Sequence, residues 1–265
     1  MNVHIVQRWR DRRDSYRPIG EPINPSSYDV AEMEGDSDAK NFILSHHYSG
    51  TYPAARFRFG LWHGVELVGV AVFSHPVNNK VLTNVFGGEA RESVELGRFV
   101  LLDKVPANGE TWFLARCRRA LKRLGLRGIV SFSDPIARET SDGVRVFPGH
   151  IGTIYQASNA TFLGRSTAHP LRLLPNGRVF SERAISKIRK RERGYQYAMK
   201  QLVEAGAPAT QDVDRDWLQM ALELVTRKFY HAGNLRYGWV LNGSPLASRT
   251  YPKFDLVLNS KEERR

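Results

Sequence analysis

The chain has 265 residues, 39 Lys plus Arg against 27 Asp plus Glu, and a formal net charge of +12. At 42% hydrophobic residues it can build one large domain or two small ones with a real core, and no window approaches ~18 uninterrupted apolar residues, so no membrane-spanning helix is expected. Its one cysteine, Cys117, excludes an internal disulfide and fits a reducing cytoplasm, while the positive excess draws polyanions, nucleic acid foremost among them.

The first ten residues hold no apolar signal core, in keeping with a cytoplasmic chain. Arg8, Arg10, Arg12, Arg13 and Arg17 make a basic arm, and Pro18, Pro22 and Pro25 keep residues 1–35 extended or looped. Helical spacing starts at Ser37, with Ala39, Phe42 and Ile43 on one face, and stops at Gly50 and Pro53. The helix end reads Ser45-His-His-Tyr-Ser-Gly50. His47 and Tyr48 there can move protons near neutral pH, or the histidines can simply complement the helix dipole; both readings stand.

Alternation over Arg56–Trp62 and Glu66–Ser74 around His63-Gly64 predicts a hairpin. Lys80–Phe86 reads as a short strand or loop, broken by Gly87-Gly88. A strand over Ser93–Leu102 contains Arg98 among Leu96, Phe99 and Val100. A charge in that setting needs a partner, either internal (Glu95 or Asp134) or a substrate. A polar loop, Lys104–Thr111, precedes a basic amphipathic helix over Trp112–Leu124, with Cys117 as a small packed residue in its middle. The strand Gly128–Ser133 then stops at Asp134-Pro135. Ser131, Ser133 and Asp134 thus lie at a strand's C-terminal edge, where open α/β sheets hold ligands. The whole run from Glu95 to Phe162 is a βαβ-type unit with a ligand site where strand ends meet a helix N-terminus.

Residues 136–150 read as a flexible loop. A helical run opens at Ile154, includes Tyr155, and leads into Thr161–Gly164; Leu171–Leu174 precedes a turn at Pro175-Asn-Gly177. Ser181 caps the most basic segment, in which Lys187, Arg189, Lys190, Arg191 and Arg193 are followed by Tyr195 and Tyr197. Basic residues interleaved with aromatics suit phosphate contact with base stacking. An apolar face at Met199, Leu202 and Val203 continues to Gly206. A helix over Asp216–Tyr230 and a strand over Asn234–Leu241 complete the chain, and the charged tail beyond Leu258 is expected to fray.

Several chemistries are excluded by motif. The chain has no Gly-x4-Gly-Lys-Ser/Thr phosphate loop, Gly-x-Gly-x-x-Gly fingerprint, Cys-x-x-Cys zinc pair or Gly-x-Ser-x-Gly elbow. His46, His47 and Asp134 could ligate a metal, but no spacing supports it.

The order of helix, hairpin, long strand, loop, helix, strand, helix and strand resembles that of Gcn5-related acetyltransferases. The resemblance implies an α/β (α+β) fold: an acetyltransferase-like mixed central sheet flanked by helices, with a basic C-terminal helical extension. It places a pyrophosphate on the amides opening the central helix, here Asn108, Gly109, Glu110 and Thr111, although this loop has one glycine and an acid where the family is glycine-rich. Ile154-Tyr-Gln-Ala-Ser-Asn-Ala-Thr-Phe162 is similar to the fold's second signature.

Five motifs in order resemble one branch, the Mom family of bacteriophage DNA-modification proteins. They are His46-His-Tyr-Ser-Gly50, Glu95-Leu-Gly-Arg-Phe-Val-Leu-Leu-Asp103, Ser131-Phe-Ser-Asp134, Gly152-Thr-Ile-Tyr-Gln-Ala-Ser-Asn159 and Ser186-Lys-Ile-Arg189, within residues 37–241. The resemblance implies an enzyme that converts adenine in double-stranded DNA to an N6-carbamoylmethyl form, shielding phage DNA from restriction in the cytoplasm of an infected or prophage-carrying bacterium. It implies functional roles for His47, Tyr48, Arg98, Ser131, Ser133, Asp134 and Tyr155. Tyr48 or Tyr155 would stack on an extruded base, and Asp134 would accept from its N6 amine. The donor is acetyl-CoA or another acyl or glycyl donor, and a metal such as iron could assist; oligomeric state stays open. The expected division is a basic arm (1–35), a catalytic core (36–180) and a basic helix with a closing helix and strand (181–265) of the same domain. Lys187, Arg189, Lys190, Arg191, Arg193 and Tyr195 would grip DNA. The competing readings are an acyl-CoA-dependent N-acyltransferase acting on a protein or small amine, and a DNA-binding module without catalysis.

Overall fold

The computed structural model describes residues 5–10, 13–18, 21–212 and 214–252, with side chains from residue 21 onward. In chain order the elements are β1 (Ile5–Arg10), β2 (Arg13–Pro18), β3 (Tyr28–Glu32), α1 (Ser37–His46), β4 (Ala55–His63), β5 (Glu66–Ser74), α2 (Lys80–Phe86), β6 (Ser93–Leu101), α3 (Gly109–Arg123) and β7 (Gly128–Ser133). There follow β8 (Arg138–Glu139), β9 (Arg145–Phe147), α4 (Thr153–Ala157), β10 (Thr161–Arg165), β11 (His169–Leu173), β12 (Val179–Phe180), α5 (Glu182–Lys190), α6 (Tyr195–Glu204), α7 (Arg215–Val225), β13 (Arg227–His231) and β14 (Leu235–Val240). Arg12 of the basic arm and the tail beyond Leu258 lie outside the described residues. No helix among the described residues is long and apolar enough to cross a membrane.

The described residues form two compact units, one within Met1–Pro135, His150–Arg165 and Asn234–Arg265, the other within Ile136–Gly149 and Ser166–Gly233. The first is built on a seven-stranded mixed sheet in the order β10-β14-β7-β6-β5-β4-β3. Its one parallel contact, β6 with β7, is bridged by α3, the crossover that parallel neighbours require. The mixed α/β class expected from the element order holds. The β4–β5 hairpin forms where alternation placed it, with Gly64 at φ 59° in the turn.

The sheet buries both faces. Ala71, Phe73, Leu96 and Leu101 pack with Phe113, Leu114, Cys117 and Leu121 of α3. Val70, Val72 and Val100 pack on the other side with Ala39, Phe42 and Ile43 of α1. Cys117 is wholly buried, and burial raises its thiol pKa well above the ordinary range, so it is a packing residue, as its helix position indicated.

Four local readings are corrected. Lys80–Phe86 is helical, not strand or loop: α2 packs on β6 and β7, with the Phe86 ring against Gly128. Tertiary burial overrides the β-propensity of Val81, Thr83 and Val85. The central helix opens at Gly109, three residues before Trp112, with the Trp112 N–H donating to the Asn108 carbonyl at 3.1 Å and no room for a Cβ at 109 beside Val105. Residues 136–150 contain the paired strands β8 and β9. The helix expected over Asp216–Tyr230 ends at Val225, where Thr226 turns extended and β13 begins.

In the second unit, α5, α6 and α7 enclose Phe180, Ile185, Ile188, Leu202, Trp217 and Leu222, beside the small sheet β12-β11-β13. The Ser181 hydroxyl accepts the Ala184 N–H, the cap its sequence position predicted. The basic helix then breaks at Arg191, which takes a left-handed φ of 51°.

Candidate active site

The site is built on a fault in the sheet. Strands β6 and β7 pair only over Ser93–Glu95 with Gly128–Val130, then part. The Ser131 hydroxyl donates to the Leu96 carbonyl at 3.1 Å, occupying an acceptor that the ladder would otherwise use. A cleft opens beyond that point.

A second irregularity decides what faces it. In the pairing with β5, Phe73 opposes Leu96 and Val72 opposes Arg98, so Gly97 is an extra residue in a β-bulge. In an unbroken strand Glu95 would share its face with Gly97 and Phe99. The bulge instead turns Arg98 onto the face of Glu95, the side covered by α1, and leaves Leu96 and Phe99 on the α3 side. A Cβ at position 97 would lie 2.6 Å from the Ser74 hydroxyl, so the close backbone approach requires glycine.

Arg98 is fixed by the loop after α1. Its Nε donates to the Thr51 carbonyl at 2.9 Å, one terminal nitrogen to the Thr51 hydroxyl at 2.6 Å, and the other to the Gly97 carbonyl at 2.5 Å. Burial lowers its pKa from the usual arginine value, against the favourable fields of Tyr48, Glu95 and Tyr155. Burial likewise pushes the Glu95 carboxyl up to about 7, with Arg98 pulling the other way. No hydrogen-bond donor reaches that carboxylate among the described residues.

His47 ends α1 in extended geometry. The Ser49 N–H donates to its Nδ1 at 3.1 Å and the Ser49 hydroxyl lies 2.8 Å from the same atom. Nδ1 is therefore the acceptor, and the neutral ring carries its proton on Nε2. Burial drives the His47 pKa well below the ordinary range, with Arg98 and His150 adding to the shift. His47 stacks tilted on Tyr48 at 4.3 Å. Tyr48 meets His150 edge-on at 6.2 Å, and His150 meets Tyr155 edge-on at 6.4 Å.

Tyr155 is buried on α4, its hydroxyl facing Ser131, and burial raises its pKa. Both ends of this short helix are pinned. Ahead of it, the Tyr237 hydroxyl donates to the Ile151 carbonyl, and Gln156 donates to the same carbonyl at 3.2 Å. Behind it, the Ser158 carbonyl accepts from Arg118 at 2.6 Å and Trp239 at 3.0 Å. Gly152, at φ 75°, starts α4; a Cβ there would lie 2.8 Å from both Tyr155 and Tyr237.

Of the expected catalytic set, His47, Tyr48, Arg98, Ser131 and Tyr155 converge on the cleft. Ser133 is buried beside Gly152 and Tyr237. Asp134 follows β7, and its main-chain carbonyl accepts the His150 N–H at 2.8 Å. Sequence reasoning did not select Glu95, Thr51 or His150 as site residues. Glu95 had a detectable signal, a carboxyl inside an apolar strand; Thr51 and His150 had none.

The first turn of α3 is different in character. The Ala107 N–H donates to the Glu21 carboxylate at 3.1 Å, and the Asn108 side-chain oxygen accepts the Ile23 N–H at 2.8 Å. Gly109 is buried, Thr111 donates to the Asn108 carbonyl, and Glu110 adds a second acid. With the Ala107 amide already taken by the Glu21 carboxylate and a second acid in the first turn, the helix start does not fit a dianionic group. Nor do three His, Cys, Asp or Glu side chains gather as a metal site among the described residues.

In the second unit, Arg189, Lys190 and Arg193 are exposed on and after α5, and Lys187 is half-buried. Arg191 pairs with Asp212 at 3.2 Å. Tyr195 packs against the unit's core, and the exposed ring is Tyr197, 73% accessible.

Among solved structures, the tandem GNAT protein of the clavulanic acid biosynthesis pathway is 9% identical with a TM-score of 0.41, covering 82% of this chain and 100% of that one. An N-acetyltransferase from Staphylococcus aureus Mu50 is 6% identical with a TM-score of 0.36, covering 81% and 97%. The methylcarbamoylase Mom of Escherichia phage Mu is 28% identical over 130 residues, 48% of this chain and 49% of that protein. The aligned region thus spans about half the length of that curated relative. The Mom protein family matches residues 27–213, which include the α1 end, the β6 bulge, the β7 edge, α4 and the basic helix. The chain belongs to the Mom protein family.

Proposed function

We propose that the protein is a transferase that modifies the N6 amine of adenine in double-stranded DNA, adding a carbamoylmethyl group. The observation that carries this reading is the bulge that sets Glu95 beside Arg98 at the parting of β6 and β7, in a member of the Mom family. The relative in phage Mu is named a methylcarbamoylase.

An adenine extruded from the duplex presents a flat ring and an exocyclic amine. Tyr48, His150 and Tyr155 supply aromatic walls for the ring. The amine nitrogen is a poor nucleophile until a base takes its proton. Glu95 suits that task, because its pKa near 7 lets it be both unprotonated and basic at neutral pH. As N6 forms its bond to the methylene carbon of a donor that carries the carbamoylmethyl group on a leaving group, its proton passes to Glu95. The donor's leaving group departs with the electron pair of the broken bond. Arg98, locked by Thr51, faces the charge that develops, and neutral His47 offers its Nε2–H as a donor. The acids Glu21 and Glu110 disfavour a pyrophosphate at α3, so no step here uses coenzyme A. Exposed Arg189, Lys190 and Arg193 would hold phosphates.

The test is mass spectrometry of nucleosides from DNA of cells co-expressing the protein or its Glu95→Gln variant. Wild type should yield an adenine heavier by one carbamoylmethyl group, and the variant at most a trace, with duplex binding retained. Unmodified DNA from the wild type, or full modification by the variant, would overturn the reading.

A further inference from the structure

Helix α3 carries four cations that the proposed chemistry does not use. Arg116, Arg119, Lys122 and Arg123 line a groove of about 900 Å³ between the C-terminal half of α3 and β3. Arg119, Lys122 and Arg123 are exposed, and the Arg116 guanidinium lies over the Trp112 ring at 4.6 Å. Among the described residues none of the four side chains forms an ion pair or a hydrogen bond. Glu32, the single acid lining the groove, forms no ion pair with them.

Helix capping does not account for the cluster. The Lys122 carbonyl already accepts the Gly125 N–H at 3.0 Å and the Asn242 amide at 3.3 Å, and the Ala120 and Leu121 carbonyls are bonded by the N–H groups of Leu124 and Leu126. Arg116 and Arg119 lie before the last turn, where the pull of the dipole has faded. The cations sit three and four positions apart, so they repel one another unless an anion lies among them. Arg116 to Arg123 spans about 10 Å of helix, a reach that suits a chain of anions better than one small ion.

The groove is also remote from the reaction. Asn242 follows β14, whose Val240 pairs with Gly128 at the start of β7, at the end of the sheet opposite Ser133. A six-residue strand separates the two ends by roughly 20 Å. A ligand held in the groove would therefore lie away from the reacting groups. We propose that it is a phosphate-backbone site for duplex DNA on the first unit, additional to the basic helix of the second. The inference rests on the proposed function in taking DNA as the polyanion; successive phosphates of a strand rise by ~3.4 Å, so two or three fall within its reach.

The experiment is anisotropy titration of the full chain with a labelled duplex across a salt series. The Arg119→Gln/Lys122→Gln variant should flatten the slope of log affinity against log salt by about 1.8, two phosphate contacts at ~0.9 each. Between about 50 and 200 mM salt, wild type should then lose roughly twelvefold more affinity than the variant. The reference variant Arg91→Gln/Lys104→Gln removes two cations already paired with Glu89 and Glu66, and should leave the slope unchanged. An unchanged slope in the groove variant, an equal change in the reference, or loss of polyglutamate binding with duplex binding intact would each overturn the inference. Should the double variant not fold, Arg119→Gln and Lys122→Gln singly should each show about half the change. Duplex binding with the expected slopes but without modification sinks the proposed function alone. Modification with full slope retained by the groove variant sinks this inference alone.

Discussion

Glu95 and Arg98 face the same side of β6 because Gly97 bulges out between them. Burial raises the pKa of the Glu95 carboxyl and lowers that of the Arg98 guanidinium, and each group's field works against the other's shift.

The modification rate should fall on the acid side as Glu95 protonates, with a midpoint near its value of about 7. Glu95→Gln should lower the rate by ~10²-fold or more and abolish that limb of the profile. Stability should move the other way. The folded-state pKa is raised from 4.5 to about 7, so the protein loses stability as pH climbs between those values. Glu95→Gln should therefore melt higher than wild type at pH about 8, by roughly 1–3 kcal/mol, and little differently at pH about 4. Paired melting curves and pH–rate profiles check both.

Arg98→Ala should leave Glu95 without its nearby cation, raising the Glu95 pKa further and shifting the acid limb to higher pH. Thr51→Val keeps the cation but removes the hydroxyl acceptor 2.6 Å from the guanidinium. It should slow the reaction by about tenfold, mainly in kcat, because a mispositioned charge costs transition-state stabilisation more than binding. Steady-state kinetics with the Thr51→Ser variant as rescue separates positioning from folding.

Gly152→Ala forces a Cβ to within 2.8 Å of Tyr155 and Tyr237 at a φ of 75°. It should cost on the order of 2–4 kcal/mol by chemical denaturation. Tyr237→Phe deletes the hydroxyl that holds the Ile151 carbonyl and leaves the ring. It should cost about 1–2 kcal/mol and lower activity with duplex affinity unchanged.

Removing Arg189, Lys190 and Arg193 together by substitution with Gln should weaken duplex binding and flatten the salt slope by about 2.7, since these three are exposed cations. Tyr197→Ala should weaken binding of single strands more than Tyr195→Ala, because Tyr197 is the exposed ring and Tyr195 is packed inward. Anisotropy titrations over a salt series read both effects.

The sequence by itself determined what depends on local period and composition. Alternation around His63-Gly64 set the β4–β5 hairpin, a short run rich in Ile, Val and Phe set β7, and Ser181 set the start of α5. An arginine among Leu96, Phe99 and Val100 stood out, because a charge in an apolar strand needs a partner wherever it folds. The tertiary structure alone decided the rest. A two-residue period puts Glu95 and Arg98 on opposite faces, and one extra residue against β5 reverses that, a register choice made by the neighbouring strand. Thr51 and His150 reach the cleft through chain reversals that no local pattern encodes. Glu21 meets the α3 N-terminus from 86 residues away and turns an apparent anion cradle acidic. Lys80–Phe86 became a helix because its apolar side had β6 and β7 to cover, and burial outweighs the small intrinsic preference of a seven-residue segment.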